Sequence, residues 1–253
     1  MILILCAFEA EFQPLRARLR AEQSMERRGL RGCYGQLGET PVALAATGIG
    51  MRRAAAGARL ALDIVHDAEL VIATGVAGAL IDDLPVGHLV LADKIFARPN
   101  PDGPLTQIME PPRDWYEACA AALSAAGIKY HGGPMLTSRY PITTAVEKRA
   151  ICERYGAVAV DMESSAIAQE AAVRRLPFIC MRTILDTVDH DLAGAELADE
   201  EGRVRPLAAA KALVTNPRMI PDVIRLARNL RRAVHAVAAA NEAVIRRFQK
   251  DSR

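Results

Sequence analysis

The sequence predicts an α/β fold in which a mixed, largely parallel sheet lies buried between layers of helices. Three observations carry this expectation. Apolar, β-rich runs recur at 2–6, 41–46, 70–74, 87–92, 157–160 and 177–181. Alanine-rich segments with helical spacing separate several of them, at 9–23, 51–66, 113–126, 143–155 and 163–175. Strands that alternate with helices in this way lie side by side, with the helices covering both faces. Finally, no linker divides the apolar pattern, so residues 1–253 are expected to form a single domain, long enough to bury a sizeable core.

The opening "MILILCAF" reads as the first core strand. It lacks a basic leading region and meets Glu9 and Glu11 too early for a signal peptide. The short run 30–38 fits a strand in a hairpin with 41–46. Residues 98–113, rich in proline and polar groups, read as a loop, and the acidic stretch 186–201 as a mobile rim. From Pro221 onward Ile224, Ala227, Leu230, Val234, Val237, Asn241, Val244 and Phe248 recur at helical spacing among many arginines. This predicts a long basic amphipathic helix over 221–253. Its stripe could pack on its own domain, meet a second subunit, or touch an anionic membrane surface.

Composition narrows the function classes. A net charge of +2 is too small to point to nucleic acid. No apolar run reaches the roughly 18 residues of a membrane span. The five cysteines form neither a close metal-ligand pair nor a small secreted disulfide framework, which fits a reducing cytoplasm. The histidines show no H-x-x-x-H arrangement, so no metal is expected.

In a parallel sheet, ligands collect where strands end and helix N-termini and free amides converge. Four strand ends carry suggestive residues. "CAFEAEF" places Glu9 and Glu11 after the first strand, as helix-start charges or as working carboxylates. "AATGIG" sets Gly48 and Gly50 before Met51, Arg52 and Arg53, a turn that could receive an anion or a sugar hydroxyl. It is not a dinucleotide fingerprint, because Arg53 stands where the third glycine belongs. "VIATGVAGAL" runs a strand into Gly75, Val76, Ala77 and Gly78, which lets a flat ligand approach the backbone or simply allows a tight turn. "ICMRTILDTVD" ends the last strand with Arg182 and Asp186. To these "AVDMESSAIAQEAA" adds Asp161, Met162 and Glu163 at a strand-to-helix junction. There Glu163 could accept two hydroxyls of a diol, Met162 could offer a polarizable apolar contact, and Asp161 could cap the helix.

Taken in order, "AFEAEF", "TGIG", "TGVAGAL" with "VGHLVLAD", "VDMESSAIA" and "RTILDTVD" resemble the nucleoside phosphorylase superfamily in its purine and uridine phosphorylase class. The likeness covers roughly residues 1–192 and is greatest for the 5'-methylthioadenosine/S-adenosylhomocysteine nucleosidases. Within the superfamily the chain looks like the hopanoid-associated branch, which implies cleavage of adenosylhopane with release of adenine. The resemblance implies a three-layer αβα sandwich, no cofactor and a homodimer. It also implies Asp186 as the purine-contacting acid, Glu163 and Met162 at the ribose, and Glu11 as activator of the attacking water. Gly75, Val76, Ala77 and Gly78 would line the base and ribose, with Tyr140 the candidate aromatic beneath the purine. Inorganic phosphate could replace water as co-substrate, held by Gly48, Gly50, Arg52, Arg53 and Arg139.

Val76 and Leu185 depart from the family's usual serines, which puts the small-nucleoside specificity in doubt more than the chemistry. A lipid-linked substrate would suit an apolar entrance beside the basic helix, at the inner membrane surface. The other readings are hydrolytic methylthioadenosine/S-adenosylhomocysteine salvage and a non-catalytic adenosine-binding protein. Glu11, Glu163 and Asp186, intact at their strand ends, argue against the latter.

Overall fold

In the computed structural model, which describes residues 1–98, 104–190 and 220–248, the chain opens with β1 (Ile2–Cys6), buried along its whole length. Strand alternation divides its side chains between the two faces of the sheet. Leu3 and Leu5 join one apolar cluster with Ala54, Ala58 and Leu62 of α2 (Met51–Ile64) and Ile167 and Ala171 of α5 (Ser164–Val173). Ile2, Ile4 and Cys6 join the other. That cluster holds Phe12 and Leu15 of α1 (Glu9–Arg16), Cys119 and Leu123 of α3 (Arg113–Ala125), and Val237, Val244 and Ile245 of α6 (Ile220–Phe248). Helices therefore flank a central sheet on both faces, as the sequence predicts.

Among the described residues, ten strands build the sheet. Its centre is parallel: β1 lies between β4 (Thr40–Ala46) and β5 (Leu70–Ala79), and β5 continues to β10 (Phe178–Asp186). One flank is an antiparallel hairpin series, β2 (Arg20–Arg27), β3 (Leu30–Leu37) and β4. On the other side β10 pairs β6 (Leu89–Arg98), β6 pairs β8 (Tyr130–Ser138), and β8 pairs β9 (Ala159–Asp161). Strand β9 returns to β5, so this part of the sheet closes on itself. The short β7 (Thr106–Met109) hangs on β6, and α4 (Ala145–Tyr155) packs Ile151 against Leu136 and Val160.

Several expectations change. The helix expected over 9–23 stops at Arg16, and β2 follows it. That strand leaves all its residues but Met25 in solvent, so it carries no apolar run. The segment 70–74 continues as strand to Ala79, so Gly75 and Gly78 sit in a strand, not in a turn. The segment 98–113 holds β7, and β8 was not expected. Residues 191–201 of the acidic segment and the tip of the tail beyond Phe248 lie outside the described residues.

The basic helix is present, and its apolar stripe is covered from within. Ala233, Val234, Val237, Ala238, Val244 and Ile245 are buried against the sheet and against α1 and α3. Only its first turns leave Ile220, Val223 and Ile224 in solvent. Among the described residues, no helix is long and apolar enough to cross a membrane.

Candidate active site

The carboxyl ends of β1, β5, β9 and β10 converge, with the start of α1 and the approach to α5, on a cavity of about 180 Å³. Ala7, Phe8 and Glu11 line one wall, Val76, Ala77 and Gly78 another. Asp161, Met162 and Glu163, then Leu185 and Asp186, continue the lining, together with exposed Tyr140 and Pro141 and buried Ile142. The expected carboxylates thus meet across one space, although they are far apart in the chain.

Glu11 is 2% exposed and is bonded on both oxygens. Ala7 N–H donates to Oε2 at 2.7 Å and Phe8 N–H at 3.4 Å, while Val76 N–H donates to Oε1 at 2.9 Å. Burial raises its pKa, and nearby Arg182 and these amides partly counter the shift. Gly75 makes room for this arrangement. A Cβ there would stand 2.4 Å from Glu11 Oε1 and 2.6 Å from Arg182 Nη1, and its φ of +140° disfavours any side chain.

Arg182 is fully buried beneath the site. Its Nη2 lies 2.8 Å from Asp161 Oδ2 and 3.8 Å from Glu163 Oε2, and Nε donates to Ser164 Oγ. Its Nη1, on the side of Gly75 and Glu11, has no hydrogen-bond partner. Asp161 also accepts Thr137 Oγ1–H and the amide of Ser164 at the start of α5, although the N-cap residue of that helix is Glu163 and not Asp161. Glu163 accepts Gly50 N–H on Oε1 at 2.9 Å. Its carboxyl is pushed up to about 7, by burial first and then by the neighbouring charges of Asp161 and Glu11, against the pull of Arg182.

Asp186 faces the cavity from the end of β10. An extra residue, Leu185, shifts the register against β5 between Ile184 and Asp186, and a bulge of this kind re-aims a side chain at a strand end. Gly78 gives it space, since a Cβ there would press on Asp186 Oδ2 at 3.2 Å. Lys148 of α4, wholly buried, donates to the same Oδ2 at 2.5 Å and to the carbonyls of Thr187 and His190 at 2.9 Å. Burial raises the Asp186 pKa, and Lys148 opposes it.

The residues expected to hold phosphate are placed differently. Gly48 N–H donates to Ala7 O and Gly50 N–H to Glu163, so both amides are engaged within the chain. Arg52, Arg53 and Arg139 stand outside the cavity lining, and the guanidinium of Arg139 lies 5.5 Å from the Tyr140 ring. Among the described residues, no group of three or more His, Cys, Asp or Glu is set to hold a metal ion.

The sequence assigns Arg182 no task and does not single out Lys148. Its one signal is position: with Ile151, Cys152 and Tyr155 it lies on the inward stripe of α4.

A phosphorylase superfamily profile matches residues 1–215, and the chain belongs to that superfamily. It is an enzyme of the nucleoside phosphorylase and nucleosidase type, acting by N-glycosyl transfer or hydrolysis. The 5'-methylthioadenosine/S-adenosylhomocysteine nucleosidase of Maridesulfovibrio salexigens is 33% identical over 174 residues, spanning 64% of this chain and 74% of its own. The structure of the same enzyme from S. pneumoniae, with the transition-state inhibitor MT-ImmA, superposes with a TM-score of 0.76 at 22% identity, covering 98% of this chain and 99% of that one. Futalosine hydrolase of Helicobacter pylori gives 0.77 at 17%, with 97% of each chain covered. At such identities the structures establish the shared fold. The likeness falls on the methylthioadenosine/S-adenosylhomocysteine nucleosidase branch, which overturns the expected hopanoid-associated branch and its adenosylhopane substrate. The apolar stripe meant to border a lipid entrance is for the most part spent on the protein's own sheet.

Proposed function

We propose that this enzyme hydrolyses the N-glycosidic bond of 5'-methylthioadenosine and S-adenosylhomocysteine, releasing adenine. The observation that carries the reading is the meeting of Glu11, Glu163 and Asp186 around one cavity. Bond cleavage leaves positive charge on the ribosyl ring and negative charge on the departing purine. Asp186 gives a proton to N7 and relieves the second. Glu163 accepts the ribose hydroxyls, with Met162 against the sugar, so that binding acts where positive charge develops. Glu11 takes a proton from the attacking water, which C1' receives as hydroxyl. Its raised pKa makes it a stronger base than an ordinary carboxylate.

Water is favoured over phosphate by the engaged Gly48 and Gly50 amides and by the carboxylates, which repel an anion. Val76 and Leu185 make the purine side more apolar than the family's serines would. No cofactor is needed for these steps. The enzyme is read as a cytoplasmic homodimer, with the exposed first turns of α6 left for a second copy or a membrane face.

The test is adenine release from both nucleosides with and without phosphate, with the sugar product identified. Equal rates and a free sugar are expected. A ribosyl 1-phosphate formed only with phosphate would make the enzyme a phosphorylase. No release from either nucleoside would end the reading. Light scattering and sedimentation with anionic vesicles, on the same preparation, test the assembly and the membrane contact.

A further inference from the structure

We propose that Lys148 is the proton reservoir for Asp186, a positioning and relay residue standing behind the carboxyl that meets the purine. This rests on the reading of Asp186 as the leaving-group acid. A lysine with no exposure is rare, because burying an ammonium is costly unless it is paired. Here three acceptors hold it, Asp186 Oδ2 and the carbonyls of Thr187 and His190, so it is fixed in place. It is absent from the cavity lining while Asp186 is present, so the carboxyl stands between ammonium and substrate.

A carboxyl that must protonate a purine near neutral pH has a difficulty, because an ordinary aspartate is then ionised. A buried ammonium–carboxylate pair resolves it. Moving one proton from Nζ to the carboxyl neutralises both groups, an exchange that a desolvated setting favours. As the C1'–N9 bond breaks, its electron pair passes into the purine. N7 takes the proton that Asp186 has drawn from Lys148, leaving a carboxylate and a neutral amine. Solvent restores the ammonium, and the proton that water gives to Glu11 returns to solvent, so the sum is addition of water across the bond.

Among the described residues, the other charges near the pair have partners of their own. On α4, Glu147 turns to Arg98, and Arg149 turns outward to Asp82 and Asp189. From the segment after β10, the His190 ring is bonded to Thr187 Oγ1 and adds a minor pull on Asp186.

The test compares wild type and Lys148→Met on two substrates carrying the same 5'-methylthioriboside: methylthioadenosine, and a 4-nitrophenyl glycoside whose leaving group departs without a proton. With the relay removed, kcat for adenine release at pH 8 should fall about 100-fold or more, while the nitrophenyl glycoside should lose far less. The basic limb of the adenine pH profile should shift, because the cation that opposes the raised Asp186 pKa is gone. Equal losses on both substrates with an unmoved limb would mean that Lys148 is structural, and the proposal would fall. If Lys148→Met does not fold, Lys148→Arg, which keeps the charge and withholds the proton, is read by the two substrates alone. Wild type that cleaves the nitrophenyl glycoside but releases no adenine would overturn both the nucleosidase reading and the relay. Wild type that releases adenine with a limb unchanged in the variant would overturn the relay alone.

Discussion

The chemistry depends on carboxyl groups kept in places that a stable core would not choose. Glu163 is the clearest case. Its carboxyl is pushed up to about 7 from an ordinary 4.5, so the folded protein holds that proton more tightly than the unfolded chain does. The stabilisation is fully present below about pH 4.5 and is lost as pH rises to about 7. At pH 8 the site therefore carries a charge that folding opposes, which is the cost of having an ionised acceptor for the ribose. Glu163→Gln should remove that burden and still accept Gly50 N–H. Its Tm should exceed that of wild type by about 3 °C at pH 8 and by less at pH 5. Turnover should drop about 10- to 100-fold, since hydrogen bonds to a charged acceptor are lost. Thermal melts at the two pH values check the first part. A Tm shift that is the same at both would show that Glu163 carries no such burden.

Strands β5 and β10 set the geometry as a pair, and Gly75 is their most demanding position. Its φ of +140° and its closeness to Glu11 and Arg182 leave no volume for a methyl group. Gly75→Ala should cost about 1–3 kcal/mol in urea unfolding and displace Glu11 or Arg182 enough to abolish most turnover. A variant with wild-type midpoint and rate would refute this account. The sequence made the neighbourhood of Gly75 visible, because small residues followed an apolar run, but its strand conformation was hidden. Glycine breaks the β pattern locally, while pairing with β10 from Arg182 to Gly75 keeps the strand going. The same logic hid β8, whose Gly132, Gly133 and Pro134 interrupt any β-rich run although β6 pairs along it. The carboxylates were legible because strand ends are where a sheet presents ligands. Lys148 was not, because a lysine on a short helix is ordinarily solvated, and only the partner it finds in Asp186, 38 residues on, makes it unusual.

At the scale of the molecule, α6 is part of the core and not an accessory to it. Asn241 reaches from it to Thr74 Oγ1 on β5 at 2.7 Å, and Thr183 Oγ1 on β10 donates to Ala233 O, so it is also tied to the two strands that carry the site. Val237, Val244 and Ile245 each contribute about 1.5–3 kcal/mol when fully buried. Together with the apolar face they cover on β1, β5 and β10, they rival the roughly 5–15 kcal/mol that holds a whole domain folded. A chain ended at residue 219 should therefore lack a cooperative thermal transition and precipitate, because Ile4, Ile72 and Met181 lose their cover. The first turns are another matter. Replacing the exposed Ile220, Val223 and Ile224 with serine should change stability by about 0.5 kcal/mol or less per site, as is usual for surface positions. Circular dichroism melts of the two variants separate these cases. A truncated chain that still melted cooperatively would mean that the sheet is closed without α6, and that the basic stripe is held in place for a purpose other than folding.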